Sequence, residues 1–228
     1  MYRLMMRSLA ASSLVLFLAS CHKQAYPDVK QRADNKVNAL YRKQTDIQPV
    51  FDKMLYRCTV DGKTFLKSYH LSGILFLKNQ EDGSTNVVFQ NEMGISYFDF
   101  SWSKNNIFKV NSIIAQMNKE ALIKTLRKDF EMLLVKLPNK YAGGVYYYNN
   151  KKDTAYVQYN LAKGFVNYLI DDNHQMLGIE NADEKQKVVR FLFAPTPLRQ
   201  LPDSLRIEHL RANFTIDLKK MPQENVAE

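Results

Sequence analysis

From Tyr56 to Ile114, and again from Gly144 to Met221, apolar and polar residues alternate with period two in short stretches separated by turn formers. Alternation of this kind places successive side chains on opposite faces of a strand. Leu71, Gly73, Leu75 and Leu77 share one face, with Ser72, Ile74 and Phe76 on the other. Phe98, Phe100 and Trp102 oppose Tyr97, Asp99 and Ser101, and Leu205, Ile207 and His209 precede a matching run of Phe214, Ile216 and Leu218. Glu81-Asp82-Gly83-Ser84, Asn91-Glu92-Met93-Gly94 and Asp171-Asp172-Asn173-His174 supply the turns. Regular spacing predicts consecutive hairpins and about eleven strands in antiparallel meanders. A sheet that wide has to curl, because flat sheets of this width are rare. The expected fold class is mainly β (α+β): a strongly curved antiparallel sheet, or incomplete β-barrel, with covering helices. Its concave face is either filled by those helices or left as a hydrophobic hollow.

Two segments read as helical. Asn118 to Lys136 carries Leu122, Leu126, Phe130, Leu133 and Leu134 as an apolar stripe, with Asn118 as N-cap, Glu120 in the first turn and Leu137-Pro138-Asn139 as the stop. Residues 34–55 place Val37, Leu40 and Tyr41 on one face and Val50, Phe51, Met54 and Leu55 on another. Gln48-Pro49 divides this stretch into two helices, the second starting near Thr45 or Asp46.

The first 20 residues have a different character. Arg3 and Arg7 precede an apolar run of about ten residues ending in Leu18-Ala19-Ser20-Cys21. The run is shorter than the roughly 20 residues a membrane-spanning helix needs. The junction resembles the lipobox of bacterial lipoproteins, which implies diacylglycerol on the Cys21 sulfur, cleavage before Cys21 and acylation of the new amino group. Such an anchor holds a protein on a membrane without spanning it. The domain plan is then a signal over 1–20, a lipidated polar tether over 21–33, one domain over 34–221 and a frayed tail over 222–228.

Removing the leader leaves 208 residues, enough for one domain with a sizeable core, and lowers the formal charge from +9 to +7. The basic residues are dispersed and not interleaved with stacking aromatics, so no nucleic-acid partner is expected. The surplus suits anionic lipid headgroups, or equally a solvated surface. Cys58 is left without a partner for an internal disulfide. It reads as a small buried apolar residue in a strand, or alternatively as a free reactive thiol.

Catalytic patterns are missing. His22, His70, His174 and His209 have no zinc-like spacing to a second ligand. There is no nucleophile elbow, P-loop or dinucleotide fingerprint. Glu180, Asp183 and Glu184 fall in a polar turn, and the tyrosines between Tyr146 and Tyr159 fit the strand preference for that residue. Neither an enzyme nor a cofactor or metal is expected.

Three segments carry a further resemblance. Leu71 to Leu77 is similar to the Gly-containing early strand, Asn91-Glu92-Met93-Gly94 to the hairpin loop, and Leu201-Pro202 through Leu218 to the closing strand pair, of the outer-membrane lipoprotein carriers and receptors of the LolA/LolB type. That resemblance implies an incomplete barrel whose cavity holds lipoprotein acyl chains. It implies a lipid-anchored protein of the cell envelope, at the outer membrane and facing the periplasm. Its partners would be membrane lipid, acyl chains of other lipoproteins and a periplasmic carrier protein. Met93 matches the protruding apolar residue that promotes transfer into the bilayer; a Met there could also fold back over the sheet edge. Leu75, Leu77, Phe89, Phe98, Phe100 and Trp102 are the expected lining. The alternative is a structural envelope lipoprotein with a solid interior that docks a protein partner.

Overall fold

The structure, a computed structural model, describes residues 25–26, 30–31, 43–63, 68–137, 145–149 and 154–222. The two alternating regions form the strands. The first meander holds Lys53–Lys63 (β2), Ser68–Asn79 (β3), Thr85–Gln90 (β4), Ser96–Trp102 (β5) and Phe108–Ile113 (β6). The second holds Val145–Asn149 (β7), Thr154–Asn160 (β8), Phe165–Asp171 (β9), Gln175–Ala182 (β10), Lys187–Pro197 (β11), Ser204–His209 (β12) and Phe214–Lys220 (β13). A two-residue strand, Lys30–Gln31 (β1), pairs with β7 and is too short to show a period in the sequence.

All thirteen strands belong to one antiparallel, curved sheet in the order β1-β7-β8-β9-β10-β11-β12-β13-β2-β3-β4-β5-β6. Its outermost strands, β1 and β6, do not meet among the described residues, so the barrel stays incomplete. The two meanders join where β13 returns to β2, with Leu218 opposite Cys58 and Ile216 opposite Val60. Alternation sets the layers: β4 and β5 bury Val87, Phe89, Phe98, Phe100 and Trp102 on the inner face and leave the intervening residues half-exposed.

The helix Glu120–Leu133 (α1) lies against that inner face. Phe130 packs on Phe98 at 5.9 Å between ring centroids and on Trp102 at 6.4 Å. The Trp102 indole N–H donates to Glu131 at 3.2 Å, and the Tyr168 hydroxyl of β9 donates to the Met132 carbonyl at 2.9 Å. The sheet therefore curls around one helix that touches both meanders. Burial of Leu126, Phe130, Met132 and Leu133 stabilises this contact by about 25 cal/mol per Å² of apolar surface removed from water.

Two expectations need correction. The second N-terminal helix does not form: Gln44–Asp46 is a single 3-10 turn, and Met54 and Leu55 belong to β2, paired with Leu77 and Phe76. Tertiary pairing overrides a spacing that fits helix and strand alike. Residues 34–42, where the first helix was expected, lie outside the described residues. The N-cap of α1 is Lys119, not Asn118; Asn118 closes the preceding turn by donating its backbone N–H to Ile114. At the other end Val135 adopts φ 51° and stops the helix. No helix among the described residues is long and apolar enough to cross a membrane.

Candidate ligand-binding hollow

The C-terminal half of α1 sits flush on the sheet, with Phe130, Met132 and Leu133 buried, and Leu134, Val135 and Leu137 just beyond its end are buried too. Its N-terminal half does not, and Leu122 and Ile123 remain partly exposed. A hollow of about 510 Å³ opens between that half and the sheet. Cys58 and Val60 of β2, Leu71 and Leu75 of β3, Phe89 and Phe98 of β4 and β5, and Phe214 and Ile216 of β13 form its floor. Leu122, Leu126 and Phe130 of α1 roof it, and Ile114 and Met117 from the β6–α1 connection close one side. Its polar members, Lys63, Tyr69 and His70 at the β2–β3 end with Gln116 and Lys119 before the helix, gather at the mouth. A shallower depression of about 780 Å³ adjoins them and includes Glu208 and Arg211.

The interior is chemically quiet. Cys58 is buried, and burial, with the Asp217 carboxylate nearby, pushes its thiol up to about 12. It is a neutral apolar liner rather than a nucleophile. At the lip, His70 and Asp61 pair at 2.7 Å, both exposed. No cluster of three metal-ligating side chains occurs among the described residues.

Of the lining expected from the sequence, Leu75, Phe89 and Phe98 border the hollow. Leu77, Phe100 and Trp102 are buried on the same face, further along the sheet, where rings close the interior: Phe98 stacks on Phe100 at 4.4 Å and Trp102 meets Phe108 at 5.1 Å. Cys21 lies outside the described residues. Met93 stands on the β4–β5 turn with 86% of its surface exposed. That turn is braced by Asn91, whose side-chain oxygen accepts from the backbone N–H of Met93 at 3.0 Å and of Ile95 at 2.9 Å. Gly94 takes φ 79° to close it. Val60, Leu71, Ile114, Met117, Phe214 and Ile216 are lining residues that sequence reasoning did not name. Each carries a strand or apolar signal, but their convergence depends on the distant β13–β2 pairing.

Three solved structures are similar to this chain. A domain assigned as an outer membrane lipoprotein-sorting protein from Vibrio parahaemolyticus is 11% identical, covers 84% of this chain and 94% of its own, and has a TM-score of 0.49. A LolA superfamily protein from Nitrosomonas europaea is 8% identical over 80% and 90%, with a TM-score of 0.46. A DUF1329 family protein from Desulfovibrio piger is 9% identical over 82% and 87%, with a TM-score of 0.41. No family model and no curated protein matches the chain.

Proposed function

We propose that this protein is a lipid-anchored envelope lipoprotein that shelters acyl chains, of lipoproteins or lipids, in the hollow beneath α1. The observation that carries this reading is the hollow itself: about 510 Å³, floored and roofed by aliphatic and aromatic side chains, with its polar groups at the mouth. That volume falls within the roughly 300–1,000 Å³ of ligand pockets. Each methylene moved from water into such a site contributes about 0.8 kcal/mol, so about ten methylenes supply about 8 kcal/mol before the cost of ordering the chain. An unfilled interior favours a carrier over a docking module with a solid core.

In this reading Cys21 bears the acyl anchor, the domain faces the periplasm at the outer membrane, and cargo arrives from a periplasmic carrier protein. The test uses the full chain, gently extracted and analysed by native mass spectrometry, followed by titration with an acylated peptide. The expected result is co-purified lipid mass or saturable uptake, both lost in Val60→Trp, which fills the hollow. Empty protein that takes up no acylated peptide overturns the proposal.

A further inference from the structure

The outer face of the second meander carries polar residues that are nevertheless buried. Asn167 and Glu180 are cross-strand neighbours on β9 and β10 and keep only 2% and 9% exposure. They belong to the row opposite the inner core of Val166, Tyr168 and Ile179, so α1 does not cover them. Tyr26 does. Its ring meets Tyr156 edge-on at 5.6 Å and Phe165 at 5.9 Å. The Lys187 ammonium lies 5.0 Å over its face and pairs with Glu180 at 2.7 Å. Burial and the Glu180 carboxylate raise the phenol above its ordinary range, so the hydroxyl stays neutral in this berth. The neighbouring Ala25 N–H donates to the Glu184 carbonyl in the β10–β11 turn at 3.1 Å.

This berth lies at the end of the sheet onto which the hollow opens. Asp183, in the same turn as Glu184, pairs with Arg211 of the β12–β13 turn at 2.5 Å. Ala212 and Phe214, which follow Arg211, line the hollow. Met93, Ile95, Tyr69 and Leu210 expose apolar surface at this end, while Val50 and Ile107 lie at the opposite end. Lys63 and Lys119 add positive charge at the mouth. From Ala25 back to Cys21 is four peptide steps, at most about 14 Å; without the Tyr26 berth the next fixed point is Lys30 in β1, nine peptide steps from Cys21, a reach of about 30 Å.

We propose that Tyr26 moors the anchored N-terminus to the mouth end of the sheet, so that this end, with Met93, Ile95, Tyr69 and Leu210, docks on the lipid bilayer and the hollow opens toward the leaflet that carries the anchor. The proposal rests on the reading of Cys21 as the lipidated residue. Mooring replaces a diffusive search of the domain over the membrane by a preset orientation, which raises the effective concentration of the mouth at the bilayer. The lysines favour an anionic surface.

The experiment uses the full chain made in a lipid-modifying bacterial host. It is reconstituted in phosphatidylethanolamine–phosphatidylglycerol vesicles that contain a bilayer-embedded spin-label quencher. A fluorophore is placed at Leu210→Cys or, separately, at Ile107→Cys; Cys58 is buried and stays unlabelled. Quenching is expected to be severalfold stronger at position 210 than at 107, to fall toward equality in Tyr26→Ala, and to persist in Tyr26→Phe. Equal quenching at the two positions in the parent chain, with lipidated Cys21 confirmed by peptide mass spectrometry, overturns the mooring and leaves the carrier reading intact. Persistence of the contrast in Tyr26→Ala also overturns it. An unmodified Cys21 removes the anchor and the mooring together, whatever the hollow binds.

Discussion

The imidazole Nε2 of His209 stands 3.0 Å from the Asp129 carboxylate, and both side chains are buried. One residue belongs to β12 and the other to α1, so this pair fastens the helix to the second meander. The His209 ring also stacks on Phe214 at 3.8 Å, and Phe214 lines the hollow. The fastening therefore sets the height of the roof above the floor. Asp129→Ala leaves His209 buried without its partner and is expected to cost about 1–3 kcal/mol in urea unfolding. Burial raises the Asp129 pKa, while His209 and Lys128 pull the other way. A carboxyl raised in the folded state contributes stability that is complete below its ordinary pKa and is lost as pH rises through the raised value. Asp129→Asn should flatten that part of the stability–pH curve, and an unchanged curve would show that Asp129 does not titrate in the folded protein.

Gly73 decides how β3 meets β4. It is buried opposite Cys58, and a Cβ there would overlap the Gln90 carbonyl oxygen. Gln90 ends β4, and its close approach aims the Asn91–Ile95 turn that carries Met93. Gly73→Ala is expected to destabilise the fold by about 1–3 kcal/mol through overpacking. Circular-dichroism melting checks the loss, and spin-label distances from the Met93 turn to the β2–β3 hairpin check the displacement.

The meanders and the helix stripe are legible in the chain because they rest on local periods: two for the strands and about three and a half for Leu122, Leu126, Phe130 and Leu133; the close approach of Gly73 to Gln90 is not, because it depends on the β3–β4 pairing. The stretch from Val50 to Leu55 is not legible. Val50, Phe51, Met54 and Leu55 satisfy a helical spacing, yet Met54 and Leu55 find partners in Leu77 and Phe76. A hollow is one of the two outcomes a curled sheet allows, but only three of the six lining residues that the sequence suggests, Leu75, Phe89 and Phe98, border it. Leu77, Phe100 and Trp102 share a face with Leu75, Phe89 and Phe98, and only the position of α1 along the sheet separates them. The Tyr26 berth gives no local signal, since Tyr156, Phe165 and Glu180 come together through strand order alone.

Cys58 offers a second titration of the same sign, at higher pH. Its thiol has an ordinary value of 9.0 and is pushed up to about 12 by burial. The unfolded chain therefore releases this proton first, and stability falls as pH rises from 9.0 toward 12. Cys58→Ala should lose that share of the alkaline destabilisation. An aromatic disulfide reagent at mildly alkaline pH should leave the folded protein unmodified and react once the chain is unfolded. Fast reaction in the folded state would mean that the hollow admits water and reagent down to β2.

Met93 separates folding from function most cleanly. With 86% of its surface exposed on a turn held by Asn91, it contributes little to the core. Met93→Asp should therefore change unfolding free energy by no more than about 0.5 kcal/mol. If the mouth end works at a bilayer, the same change places a charge where an apolar side chain would enter the interface, which costs free energy and repels anionic headgroups. Uptake of acylated peptide into the hollow should stay unchanged, because Met93 does not line it. Release of that peptide to vesicles should slow severalfold, and Met93→Leu should restore it. Equal release rates in Met93→Asp and the parent chain would deny this side chain any part in transfer and leave it as an incidental apolar residue on a well-braced turn.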